Sequence, residues 1–429
     1  MQRAGGDRPR EPGFSAASDE SDVAMDLQTA LERTLLYNPD LVAVRQSLPV
    51  SAEAIRVARR FPTSLNPTAS VEVRPWAFER VPGDGVNRLQ TLVSLSLSQP
   101  IEFGHRRDHR TSVAQASYSQ TQWHVLQAEL TALIQTYRAH QTAVYRRERQ
   151  GVVNGLVQFD QRLLETLRRQ MEANQVSADD VVLAEVDCQA TRQQLEAARQ
   201  DYAAALADLR QQIGISQVAD SAEPVGELTA PQGLSPDDDD ALIRVALASR
   251  PEIQSARSQV ASSRAAVALA RAERIPVPSV GPVYEKDETG VSFYGMGLSS
   301  PIPVWNAGGP LLRQREAEYR RDVIALEQVQ ERTTAQVKAT LARWRQAEKS
   351  AARTQSLAEP LKAQVARMER LFEAGQADVL RLLQVQRRSL EARSAQLDAL
   401  WQATQAYADL LAAVGTAPLI GSLSSANSQ

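Results

Sequence analysis

The 429-residue sequence has one cysteine and four histidines, and 5% of its residues are aromatic. Each shortage closes off a class of function. Cys188 is alone in a stretch of helical composition, so no disulfide within the chain and no thiolate metal cluster can form, and it reads as helix packing. No run approaches the roughly 18 apolar residues of a membrane helix, so any crossing of a bilayer falls to β-strands. An excess of one charge is lacking too: 48 basic residues face 51 acidic ones for a net charge of −3, and no field calls for nucleic acid. No Ser-His-Asp arrangement, phosphate loop or paired-carboxylate cleft can be picked out, so an enzyme is the least supported class and no cofactor is expected. His105 and His109 are four apart and could face one metal ion, but Arg106, Arg107 and Arg110 surround them with like charge, and the reading is no metal site. His124 and His140 are isolated, and Trp123, Trp344 and Trp401 read as helix packing.

What the chain has in quantity is helix-forming sequence, written twice. Ala30, Leu31, Leu35, Asn38, Pro39, Asp40 and Leu41 recur as Leu242, Ile243, Leu247, Arg250, Pro251, Glu252 and Ile253. At a constant shift of 201, Ser98-Gln99-Pro100-Ile101 recurs as Ser299-Ser300-Pro301-Ile302, Glu172-Ala173-Asn174-Gln175 as Glu373-Ala374-Gly375-Gln376, and Gly214 as Gly415. The organisation follows: a disordered segment 1–25 without the apolar core of an export signal, a first repeat 26–214 with a β-hairpin at 68–98, a linker 215–237, a second repeat 238–415 with a hairpin at 277–300, and a disordered tail 416–429. The acidic run Asp237 to Asp240 lacks the alternating spacing of a calcium loop and suits a helix N-terminus.

From Gly104 to Ala173 there is no proline, and nearly 70 helical residues would span about 100 Å. Leu206 and Ile213 with Leu209 between them, and Leu400, Tyr407 and Val414 with Leu410, have coiled-coil spacing. Gly151, Gly155 and Pro360 fall at similar places in the two repeats, where the long helices are expected to bend or restart. Between the helices, Val93, Leu95 and Leu97 alternate with serines, and Tyr294, Met296 and Leu298 with Gly295, Gly297 and Ser299, giving strands with one oily and one polar face. Their partners are Val71 and Val73, and the stretch Val277 to Lys286, which Pro278 and Pro282 interrupt. Trp76, Phe78, Tyr284 and Phe293 lie where interface aromatics would. Four such strands suit a small soluble sandwich as well as part of a barrel, but a barrel in lipid tolerates no open edge and would need several protomers to close.

These motifs resemble the TolC-like outer-membrane efflux proteins from about residue 26 to 415. The resemblance rests on Asn38-Pro39-Asp40-Leu41 and Arg250-Pro251-Glu252-Ile253, on the strand exit from Ser98 to Arg107, on the turn from Phe372 to Leu380, and on the closing segment Tyr407 to Gly415. The basic strand exit is similar to that of the metal-cation efflux branch. The resemblance implies a mainly α fold with a small β part. Two tandem repeats of long coiled-coil helices and four strands per protomer contribute to a trimeric 12-stranded barrel and a 12-helix tube. It implies a homotrimer in outer-membrane lipid, with its helices in the periplasm of a Gram-negative cell, docking on a periplasmic adaptor protein and an inner-membrane pump. Adaptor docking is expected at the turns Ala173, Asn174, Gln175 and Ala374, Gly375, Gln376, and an acidic entrance ring at Asp179, Asp180 and Asp378. The alternative is a soluble coiled-coil scaffold or adaptor.

Overall fold

The structure is a computed structural model that describes residues 25–60, 62–74, 91–173, 176–215, 223–231, 239–287, 291–373 and 379–417. The first repeat runs α1 (Leu27–Tyr37), α2 (Pro39–Arg45), α3 (Ser47–Arg59), β1 (Thr68–Arg74), β2 (Leu92–Pro100), α4 (Arg106–Glu172) and α5 (Ala178–Gln212). The second runs α6 (Asp239–Ser249), α7 (Pro251–Ala272), β3 (Ser279–Lys286), β4 (Ser292–Ser299), α8 (Gly309–Glu373) and α9 (Val379–Val414).

The paired Pro motifs each break a helix. Asn38 caps α2: its Oδ1 accepts from the backbone N–H of Asp40 at 3.1 Å and of Leu41 at 3.2 Å, while Pro39 occupies the first helical position, which needs no donor. Arg250 takes nearly the same backbone (φ −60°, ψ 123°) but caps nothing. Its guanidinium instead donates to Thr333 Oγ1 at 3.2 Å, Gln336 Oε1 at 2.9 Å and the Ala413 carbonyl at 3.4 Å. The repeats also end alike, because Gly214 and Gly415 turn left-handed at φ +74° and +82°. The next N–H then reaches back to a helix carbonyl, Ile215 to Arg210 at 3.0 Å and Thr416 to Leu411 at 3.1 Å.

Of the expected bend or restart in each long helix, the restart does not occur. α4 runs for 67 residues and α8 for 65, with Pro360 inside it. A proline removes one N–H and crowds one carbonyl, a local cost that does not end so long a helix. Gly155 serves close approach rather than a break: a Cβ there would lie 3.3 Å from Leu390 Cδ2.

The described residues pack as two units, each drawn from both repeats: those within 25–34, 136–229 and 356–401 in one, and those within 35–135, 230–355 and 402–417 in the other. In the first unit Ala143, Leu209 and Ile213 bury around Met25, with Ala30 and Ala205. Met25 was expected in the disordered N-terminal segment, yet it is fully buried and bridges the linker, its N–H donating to the Glu223 carbonyl at 2.9 Å and its carbonyl accepting from Val225 N–H at 3.0 Å. In the second unit Trp344 packs 6.2 Å from Tyr407, beside buried Val337, Leu341, Leu410 and Val414. Of the heptad positions, Leu209, Ile213, Leu400, Tyr407, Leu410 and Val414 are buried and Leu206 is half-buried against the Met25 cluster, as a coiled-coil seam requires.

All four strands form one antiparallel sheet in the order β1-β2-β3-β4, so the two hairpins join through β2 and β3 and do not stack as a sandwich. Gly281 makes this junction. A Cβ there would fall 1.7 Å from the Leu97 carbonyl oxygen, so only glycine lets β2 and β3 approach.

Candidate functional site

The sheet register assembles one apolar face. Val71, Leu95, Tyr284 and Tyr294 lie in a row across all four strands, and the Tyr284 and Tyr294 rings are 5.1 Å apart. A neighbouring row pairs Ala69 with Leu97 and Pro282 with Met296. This face is bare: Tyr294 is 83% exposed, Met296 71% and Leu298 77%. The opposite face carries Ser70 and Ser96 with hydroxyls 2.7 Å apart, the Arg74–Glu72 ion pair at 2.7 Å, and the glycines of β4. Phe293 pairs with Glu285 on that polar side and Tyr284 lies on the apolar side, so these two expected interface aromatics divide between faces. Trp76 and Phe78 lie outside the described residues. Among the described residues of one chain, β1 and β4 each keep an unpaired edge. In water, a contiguous apolar face with open edges invites aggregation, whereas in lipid it is the correct surface once closure pairs the edges. Among the described residues no helix is long and apolar enough to cross a membrane.

The second candidate region lies on α4 and α5. Ala173 is an exposed turn residue whose N–H donates to the Arg169 carbonyl at 3.2 Å. Ser177 opens α5 with a capping box: its Oγ accepts from Asp180 N–H at 3.2 Å, while Asp180 Oδ2 accepts from the Ser177 N–H at 3.3 Å and hydroxyl at 2.8 Å. Asp180 is therefore committed to the turn. Asp179, one residue earlier and exposed, has no partner among the described residues. Beneath them Leu164, Leu167, Val181 and Ala184 close the helix pair. The spacing Ser177-x-x-Asp180 is a sequence signal for this cap that counting acids alone overlooks. Asn174, Gln175, Ala374, Gly375, Gln376 and Asp378 lie outside the described residues, as do Asp237 and Asp238. Asp239 opens α6 and pairs with Arg345.

The histidines occupy separate places. His105 has φ +54°, supplies its carbonyl to the start of α4, and sets Nδ1 3.2 Å from Asp108 Oδ2. His124 Nε2 lies 3.2 Å from Ser255 Oγ. His140 is buried, and burial holds its pKa below the ordinary histidine value. Among the described residues no group of three or more metal-ligating side chains forms. Trp344 is buried, and Trp401 stacks on Tyr145 at 5.2 Å and donates to Thr142 Oγ1 at 3.3 Å, which makes both packing residues.

The sequence matches the family described as outer membrane efflux protein over residues 30–215 and 242–416, that is, over both repeats. Comparison with curated proteins by sequence gives no match. Solved structures similar in fold include that of CusC, described in terms of folding and transmembrane channel formation, at 16% identity, covering 92% of this chain and 93% of that one with a TM-score of 0.71. The outer membrane protein VceC from Vibrio cholerae is 16% identical over 91% of this chain and 96% of its own, with a TM-score of 0.68. The CmeC outer membrane channel of Campylobacter jejuni is 14% identical over 91% and 85%, also at 0.68.

Proposed function

Because the chain belongs to the outer membrane efflux protein family, we infer that it works as a passive exit duct for small solutes or metal ions, and not as an enzyme. It is an outer-membrane channel protein of a tripartite efflux system. It forms a homotrimer with its barrel in the outer membrane and its helical tube in the periplasm, and it pairs with a periplasmic adaptor and an inner-membrane pump. Three copies of the four-stranded sheet make a twelve-stranded barrel, and three copies of α4, α5, α8 and α9 make a twelve-helix tube.

The observation that carries this reading is the bare apolar face running through all four strands between two unpaired edges. A soluble scaffold would leave that face in water. The metal-ion option for the cargo rests on the basic segment Gly104-His105-Arg106-Arg107 at the strand exit. The adaptor contacts the turns Ala173, Asn174, Gln175 and Ala374, Gly375, Gln376, and the carboxylates Asp179, Asp180 and Asp378 ring the entrance, three copies of each favouring cations. Selection among cargoes lies with the pump.

The test is single-channel conductance of the detergent-purified, trimer-sized protein in a planar bilayer. Stable, cation-preferring openings are expected. A soluble protein that conducts nothing would overturn the duct.

A further inference from the structure

Just past β4, three large apolar side chains are left uncovered by the described residues of one chain: Ile302 is 81% exposed, Val304 72% and Trp305 98%. They are not on a loose tail. Pro301 and Pro303 restrict the backbone, Val304 N–H donates to the Ile302 carbonyl at 2.8 Å, and Asn306 Oδ1 accepts from Gly308 N–H at 2.9 Å. Arg274 Nε holds the segment by donating to the Ala307 carbonyl at 3.1 Å. Arg106 fixes the facing strand entry through the carbonyls of Ala272 and Ile275. Between these parts lies a groove of about 520 Å³, lined among others by Arg106, Arg274, Ile302, Val304 and Trp305, with Glu273 as its acid. Among the described residues, neither Arg106 nor Arg274 is paired with a carboxylate.

We propose that this strand exit is a phospholipid-docking foot. Ile302, Val304 and Trp305 seat in the headgroup–acyl boundary of the periplasmic leaflet, and the groove between Arg106 and Arg274 receives the phosphate of one glycerophospholipid. The proposal rests on the duct reading. Two observations select lipid over a second protein surface. Ile302, Val304 and Trp305 follow Leu298, on the apolar face of β4, by four to seven positions, so the medium that solvates that face lies close to the exit. The chemistry also matches the boundary layer: a tryptophan ring, which is apolar with one N–H donor, stands beside two guanidinium groups that outnumber the local acid. At the counterpart exit of the first repeat, Ile101 and Phe103 are exposed as well, so each protomer offers two apolar contacts at this level of the sheet.

The test uses the full-length trimer in vesicles of phosphatidylethanolamine and phosphatidylglycerol brominated near the carbonyl end of their acyl chains, with Trp305→Phe for subtraction and conductance measured on both preparations. The Trp305 fluorescence component is expected to lose more than about half its intensity to the bromolipid and to be shielded from aqueous acrylamide. A component that acrylamide reaches and bromine does not would place Trp305 in water and overturn the foot. Shielding from both quenchers would place it against a second copy or another protein and equally overturn it. In either case intact conductance would leave the duct standing, whereas loss of conductance in the wild-type preparation would overturn the duct and the foot together. Arg274→Gln is expected to reduce the phosphatidylglycerol retained by detergent-purified trimers at least two-fold, and unchanged retention would overturn the phosphate site.

Discussion

His140 Nε2 donates a hydrogen bond to the Met25 carbonyl oxygen at 3.1 Å, while its Nδ1 is buried with no hydrogen-bond partner among the described residues. The acceptor is a carbonyl, so Nε2 carries a proton, and burial disfavours the charged form of the ring. A second proton would go to Nδ1, which is buried and has no hydrogen-bond partner among the described residues. Burial lowers the His140 pKa; the Met25 bond and Asp26 oppose that shift, and Arg147 adds to it. Glu223, Arg147 and Arg210 bear on Tyr202, which belongs to the same unit.

The first prediction follows from the sign of that shift. Between the ordinary histidine pKa of about 6.5 and the lower folded value, the unfolded chain binds the proton and the folded chain does not, so stability is lost as pH falls below about 6.5 and is complete above it. Thermal melts of detergent trimers should drop by about 1 °C for each kcal/mol lost per chain on going to pH 5, because the unfolding entropy of so long a chain is large. His140→Gln, which keeps a donor but does not titrate, should flatten that dependence. Equal pH slopes in the two proteins would remove His140 from the explanation.

At the β2–β3 junction, Gly281→Val inserts a side chain where even a Cβ would overlap the Leu97 carbonyl. The two hairpins should then fail to join, and the heat-resistant trimer band on an unheated denaturing gel should vanish. Gly295→Val, whose Cβ meets nothing within 4 Å, is the control and should keep that band.

Arg250 occupies the place that Asn38 fills in the first repeat, but ties α7 to α8 and to the end of α9. Arg250→Ala should destabilise the protein by about 2–3 kcal/mol, the size expected when bonds to a charged group are removed. Arg250→Asn should recover only about 1 kcal/mol through helix capping. Denaturant titration separates these amounts, and full recovery by Asn would show that the clamp contributes nothing.

The two acids that open α5 should separate in their effects. Asp179→Asn removes an unpaired carboxylate and should lower the cation-to-anion permeability ratio roughly two-fold without altering stability. Asp180→Asn should lower it similarly and also cost about 1 kcal/mol of helix capping. Reversal potentials in a salt gradient read the first effect and thermal melts the second. An unchanged reversal potential in both variants would exclude an acidic entrance at α5.

The docking turns call for a cellular readout. Gly375→Trp should abolish export while trimers persist on an unheated gel. Unaltered export would refute adaptor contact at that turn.

Much of this protein was legible in one dimension. The repeat, the proline-started helices, the glycine ends at Gly214 and Gly415 and the heptad positions depend on local backbone preferences and on spacing along a helix, and both are written residue by residue. The alternation of Leu95 and Leu97 with serines likewise reveals a two-faced strand before any partner is known. Other features needed tertiary structure because their causes are contacts distant in sequence. The burial of Met25, for one, depends on His140 and Glu223. The same holds for Arg250 acting as a clamp rather than a cap, and for the joining of two hairpins through Gly281 into one sheet. Sequence determined which segments are helix or strand and which faces are oily. Tertiary structure decided which face met which, because the free energy of a close approach or a buried hydrogen bond depends on a partner that periodicity does not specify.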